Sequence, residues 1–133
     1  MYVEVRGRVI KKGEARGEAL KTTEPISFYG GVDPETGIVI ERGHELEGKN
    51  ISGKILVFPQ GKGSTVGSYV LLRLKKNGKA PLGIINWFCE PIVAVGAIIS
   101  NIPTVDKIDI CMIEDGDWVE ISGERVLIKK KSR

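Results

Sequence analysis

Aromatic residues are scarce: two Trp, three Tyr and three Phe make up 6% of 133 residues. Readers of single-stranded nucleic acid stack bases on aromatic platforms set among basic groups, and no such interleaving occurs. Histidine is rarer still. His44 is the only one and lies in a polar loop without a Cys or His at ligand spacing, so neither a Ser–His–Asp triad nor a zinc site is visible. The two cysteines, Cys89 and Cys111, show no metal-type spacing. A single disulfide between them is one reading; free thiols in a reducing cytoplasm are the expected one. Two thiols cannot supply the Cys₄ ligation that iron–sulfur clusters usually need, so any cluster must sit on another chain. Glu114, Asp115 and Asp117 lack EF-hand spacing and read as turn chemistry, so no metal site is assigned to this chain. The longest apolar run, Ile92 to Ile99, has eight residues. A bilayer span needs about 20, so no transmembrane segment is expected. The first six residues also lack the charged-then-apolar pattern of a secretory signal.

What is present fits one globular domain. Hydrophobic residues are 41% and charged residues 28%, an ordinary balance. A 14.5 kDa chain should fold to a surface of about 6,900 Å², enough to enclose a core without disulfide or metal staples. Glycine is abundant, 17 of 133, which favours tight turns and strands over a helical bundle. The net charge of +3 is owed mostly to Lys129, Lys130, Lys131 and Arg133. Residues 1–128 are therefore expected to form the domain and 129–133 a disordered basic tail.

Residues 2–10 alternate Val3, Val5 and Val9 with charges, the pattern of a half-buried strand. Residues 15–21 alternate more weakly. Asp33-Pro34-Glu35-Thr36-Gly37 has turn chemistry, and Ile38–Ile40 is expected to resume as a strand. Residues 41–53 read as loop. Lys54–Phe58 is a continuous apolar run, as in a strand buried on both faces. From about Ser64, Val66, Val70, Leu71 and Leu74 recur at helical spacing, with Asn77-Gly78 as the stop. Leu82–Trp87 is a further strand. Glu90-Pro91 can open a helix to about Ser100, although periodicity alone leaves a strand open there. Trp118–Ile121 and Val126–Ile128, joined by a Gly turn, read as a hairpin. The fold class is mixed α/β with a compact, barrel-like strand core.

The most informative stretch is Pro59-Gln60-Gly61-Lys62-Gly63-Ser64-Thr65-Val66-Gly67-Ser68, which follows a buried strand and precedes a helix. Glycines let backbone approach a ligand closely, and a helix N-terminus offers unsatisfied N–H groups to an anion. Lys62 adds a full charge, and Ser64 and Thr65 place hydroxyls at capping positions. A plain helix cap by Ser64 is the other reading. The loop matches neither a Walker A motif nor G-x-G-x-x-G. Gly30-Gly31, after Phe28 and Tyr29, can form a turn that admits substrate or a partner's backbone, or a simple β-turn; Asp33 is placed to cap the turn at Pro34.

Taken in order, Phe28-Tyr29-Gly30-Gly31-Val32-Asp33-Pro34-x-Thr36-Gly37, Gly61-x-Gly63-Ser64-Thr65-x-Gly67-Ser68-Tyr69-Val70-Leu71, Ala80-Pro81 and Gly96-Ala97-Ile98-Ile99-x-x-Ile102-Pro103 resemble the small subunit of the aconitase X-type dehydratases. The resemblance runs from about residue 3 to 128. It implies a swivelling β/β/α domain with two or more helices. It also implies a larger partner subunit that carries a 4Fe-4S cluster. For archaeal members it implies dehydration of (R)-5-phosphomevalonate to trans-anhydromevalonate 5-phosphate, on a route to isoprenoids. The family's proton-accepting serine falls on Ser64. Many relatives have Ser-Ser where this chain has Ser64-Thr65, so a hydroxyl is kept. Gly30, Gly31, Asp33, Lys62, Gly63 and Thr65 are the expected substrate-binding residues.

A serine hydroxyl is a poor base, since each unit of pKa depression costs about 1.36 kcal/mol. A helix N-terminus supplies about 0.3–1 kcal/mol, up to 2 when partly buried. An aligned donor in a dry site supplies about 2.7–4 kcal/mol. Ser64 therefore needs several donors and exclusion of water; Lys62 and the amides of Gly63 and Thr65 are the candidates from this chain. Two other functions fit the sequence less well. One is dehydration of cis-3-hydroxy-L-proline, as in bacterial aconitase X enzymes, where the two parts are often fused. The other is a basic RNA-binding module that uses the terminal lysines.

Overall fold

The structure is a computed structural model and describes residues 1–131. Its accessible surface is 6747 Å², close to the value expected from mass. Eight strands form one sheet in the order β1-β8-β7-β3-β4-β5-β6-β2. They are β1 (Tyr2–Arg6), β2 (Arg8–Lys11), β3 (Glu14–Lys21), β4 (Ile55–Phe58), β5 (Gly83–Asn86), β6 (Thr104–Asp106), β7 (Trp118–Ser122) and β8 (Arg125–Lys129). The strands β3, β4, β5 and β6 run parallel. The β7–β8 hairpin continues the sheet antiparallel from β3, and β1 closes that edge.

The two ends of this order, β1 and β2, are neighbours in the chain, separated only by Gly7. The sequence reads them as one strand; in the structure one half pairs with β8 and the other with β6. A Cβ at Gly7 would lie 2.2 Å from the Asp106 carbonyl oxygen, so only glycine lets the chain cross there. This shared segment curls the sheet into the expected barrel-like core.

Alternation along β4 sorts side chains onto two cores. Ile55 and Val57 join Ile85, Val105, Val119, Ile121, Val126 and Ile128 inside the curl. Leu56 and Phe58 face the other way, against Leu71, Leu74, Val93 and Ala97. The latter come from two ten-residue helices, α2 (Gly67–Lys76) and α3 (Pro91–Ser100). A shorter turn, α1 (Phe28–Gly31), is broken by non-helical angles at Tyr29 and Gly30.

The helix reading holds over one segment that periodicity leaves open, and other expectations are revised. Residues 91–100 are helix: Pro91 takes the first turn, the Glu90 carboxylate accepts from Ile92 N and Val93 N, and Asn101 ends it in the left-handed region. The helix expected from about Ser64 begins at Gly67, because Gly67 N bonds Ser64 O and makes the first turn a tight i→i+3 one. Ile38–Ile40 form no strand. Val39 and Ile38 make only isolated bridges to Val32 and Asn50, and Ile40 N turns to Gly31 O. The ordered chain also runs beyond residue 128. Lys129 ends β8, Lys130 Nζ donates to Asp117 Oδ2 at 2.7 Å, and Lys131 N donates to Asp117 Oδ1 at 3.0 Å. The expected disordered tail thus gives way at 129–131, and residues 132–133 lie outside the described residues.

Candidate active site

The Ser64 loop leaves the carboxyl end of β4, in the middle of the parallel strands, where α/β sheets place their ligands. Pro59 cannot continue the ladder, having no N–H. Its carbonyl instead accepts from Trp87 N and Phe88 N at 3.1 Å each. Residues 60–62 then run beside Ile26, with Ile26 N bonded to Gln60 O and Lys62 N to Ile26 O. Beyond that rail the chain turns at Gly63, where φ is +86° and a Cβ would lie 2.6 Å from Ser27 Oγ. Both facts demand glycine.

Ser64 is half-buried. Its Oγ accepts from Val66 N at 3.1 Å, so the hydroxyl caps the turn into α2, as the bland reading expects. The same bond gives the oxygen one fixed donor of the kind that stabilises developing negative charge. The amides of Gly63, Ser64 and Thr65 donate to no group among the described residues. Three successive free N–H groups leave this corner able to receive an anion.

Beside the loop lies an open cleft of about 390 Å³, lined by Tyr29, Gly30, Gly31, Glu41, Lys62 and Gly63 together with Ser27. The structure thus brings Gly30, Gly31, Lys62 and Gly63 together. Asp33 does not line this cleft. Its Oδ1 accepts from Glu35 N at 2.9 Å, and its carbonyl accepts from Thr36 N and Gly37 N, which is turn chemistry. Thr65 faces a different, apolar depression of about 280 Å³, shared with Val66, Tyr69, Ile92 and Val95. Lys62 Nζ bonds Glu41 Oε2 at 3.0 Å rather than Ser64.

Sequence reasoning missed two carboxylates. Glu41 sits in a featureless loop and carries no motif. Glu90 is legible as a helix opener, but its second contact is long-range: Oε1 accepts from Gly61 N at 3.2 Å. One carboxylate therefore pins the base of the Ser64 loop to the start of α3. Gly61 has no room for a side chain, since a Cβ would lie 2.3 Å from Glu90 Oε1. Glu90→Ala strips the cap and leaves three amides without an acceptor. It is expected to cost about 1–2 kcal/mol, read as a lower urea midpoint of the chain.

His44 is buried and structural. Its Nδ1 accepts from Leu46 N, so the proton sits on Nε2, which donates to Pro25 O at 3.0 Å. Burial, with the nearby Asp106 and Glu90 charges, pushes the Cys89 thiol up to about 12. The exposed Cys111 is expected to take up iodoacetamide at pH 8 while Cys89 stays unlabelled, as peptide mass mapping would show. Among the described residues no three His, Cys, Asp or Glu side chains gather to hold a metal. With two cysteines in the sequence and no such gathering of ligands, the donor set here does not fit an iron–sulfur cluster, which usually takes four thiolates.

The family model described as the aconitase X swivel domain matches residues 4–130. This chain belongs to that family. Similar relatives include the phosphomevalonate dehydratase small subunit of Methanosarcina acetivorans, 57% identical over 96% of this chain and 90% of the relative. The protein of the same name from Methanocella arvoryzae is 54% identical over 96% of this chain and 98% of its own. Among solved structures, Thermococcus kodakaraensis aconitase X in its holo form superposes with a TM-score of 0.94 at 51% identity, covering 96% of this chain and 99% of that one. The swivel-domain fold expected from the sequence is thus the fold found. Among the described residues no helix of this swivel domain is long and apolar enough to cross a membrane.

Proposed function

We propose that this chain is the small subunit of a two-chain hydro-lyase that dehydrates (R)-5-phosphomevalonate to trans-anhydromevalonate 5-phosphate, with Ser64 as proton acceptor. The observation that carries the reading is the placement of Ser64. The residue is half-buried, its oxygen is held by Val66 N, and it is flanked by three free amides on a glycine-built turn. The relatives' shared name supports the substrate.

In the reaction a substrate C–H proton passes to Ser64 Oγ. The C–H electron pair forms the new double bond, the hydroxyl on the adjacent carbon departs with the C–O electron pair, and the proton taken by Ser64 then passes to it, so that water is released and the base is restored. One backbone donor does not make a serine basic. At about 2.7–4 kcal/mol per aligned donor in a dry site, Ser64 needs the neighbouring amides and a cover that excludes solvent. A larger subunit is that cover. The apolar depression formed by Val66, Tyr69, Ile92 and Val95 adjoins Ser64 and offers it an apolar seat. The cluster that the family implies belongs to that larger subunit, since the donor set of this chain does not fit it. Cys89 and Cys111, both free thiols, suit a reducing cytoplasm.

Other readings draw less support. The lysines that an RNA-binding tail would use are engaged: Lys130 bonds Asp117 and Met112 O, and Lys131 bonds Asp115 O. The two relatives named above are both called after phosphomevalonate rather than hydroxyproline. The test is to assay the assembled pair on both substrates. Turnover of (R)-5-phosphomevalonate with none of cis-3-hydroxy-L-proline is expected; the opposite selectivity overturns the reading.

A further inference from the structure

Lys62 lies in the cleft beside Ser64, yet a lysine on a surface loop is a loosely held charge, with four rotatable bonds between backbone and ammonium. In this chain it is not loose. Its backbone is fixed by the Ile26 rail. Its Nζ is fixed by Glu41 Oε2 at 3.0 Å. Glu41 is itself anchored, because Ile40 N and Glu41 N both bond Gly31 O. Its carboxylate also packs on Gly31, where a Cβ would lie 3.3 Å from Oε1. The chain of contacts thus runs from the glycine pair, through Glu41, to the ammonium at the cleft mouth.

We infer that Glu41 is a positioning residue. It holds the Lys62 ammonium over the cleft so that the anionic group of the substrate meets a pre-aimed cation. The inference rests on the proposed dehydratase reading. An ammonium has three N–H donors. One is spent on Glu41, and the geometry leaves two for an anion. Ordering Lys62 in the folded chain removes that entropic cost from the binding step.

The chain of contacts gives the test a signature that a merely structural role lacks. In the assembled two-chain enzyme, Glu41→Ala should raise KM for the phosphorylated substrate about three- to tenfold, the order of the cost of ordering one long side chain on binding, with kcat nearly unchanged. Lys62→Ala should raise KM at least as much. The double variant should match Lys62→Ala alone, because Glu41 acts only through Lys62. Glu41→Asp, which keeps the charge on a shorter arm, should recover part of the loss. Thermal denaturation of the variants should stay near wild type, since the pair lies at the surface with the Lys62 side chain about half exposed and such pairs contribute little to stability. Additive KM effects overturn the inference, as does a KM that falls on removing Glu41 or a loss confined to kcat. If the wild-type pair dehydrates no phosphorylated substrate, the functional reading falls with it; if the wild-type pair is active and only the cycle is additive, this inference falls alone.

Discussion

Ser64→Ala in the assembled enzyme is expected to lower kcat by about 10²–10⁴-fold, the range for losing a general base, with KM little changed. The split follows from what the hydroxyl does. In the proposed role it takes a proton in the transition state and adds little to ground-state binding, so its removal is read in kcat. The substitution also takes away the acceptor for Val66 N, a cap worth about 1 kcal/mol. Stability should therefore drop slightly while assembly persists. The two effects separate: a cap alone predicts the small stability loss and normal turnover. Near-normal kcat in a stable Ser64→Ala pair would leave Ser64 as a cap and nothing more.

Asp106→Ala is expected to destabilise the chain by about 3 kcal/mol, made up of a buried amide left without its acceptor and the void left behind. For a domain of this size that is roughly 10 °C in Tm. Asp106 has no exposed surface and joins three elements. It takes Arg8 Nε at 3.0 Å and Arg8 Nη2 at 2.7 Å from β2. It also takes Cys89 N at 2.8 Å from the segment that leads to Glu90. Arg8 is half exposed and can turn to water, so it adds little to the loss. Cys89 N is buried and has no such escape. Because Glu90 follows directly and holds Gly61 N, the loosening should reach the Ser64 loop and lower kcat in the assembled enzyme as well. An Asp106→Ala chain with wild-type Tm would show that this carboxylate holds nothing together.

Local chemistry was readable where the physics is local. The alternation of Val3 and Val5, the apolar run of β4, the Asn77-Gly78 stop and the β7–β8 hairpin all follow from periods and turn residues that need no partner. The Gly-x-Gly-Ser stretch reads as a glycine loop ahead of a helix, and the loop is there, turning at Gly63. What failed to show was long-range. Nothing near Gly7 says that its two flanks pair with opposite edges of the sheet. That depends on the Asp106 carbonyl, 99 residues away in the chain. Ile38–Ile40 have the composition of a strand and lack a neighbouring strand to pair with. The terminal lysines look solvated until the β8 register brings them to Asp117. Glu41 and Glu90 became site residues only when the fold set them against Lys62 and Gly61.

The central claim is that this swivel domain completes a larger subunit by bringing Ser64 to its substrate. It is tested most directly by titrating a fixed amount of that subunit with this chain and following the dehydration rate of (R)-5-phosphomevalonate. The account predicts no turnover from either chain alone and a rate that rises to a plateau at stoichiometric addition. A larger subunit that reaches the plateau rate without this chain would contradict it.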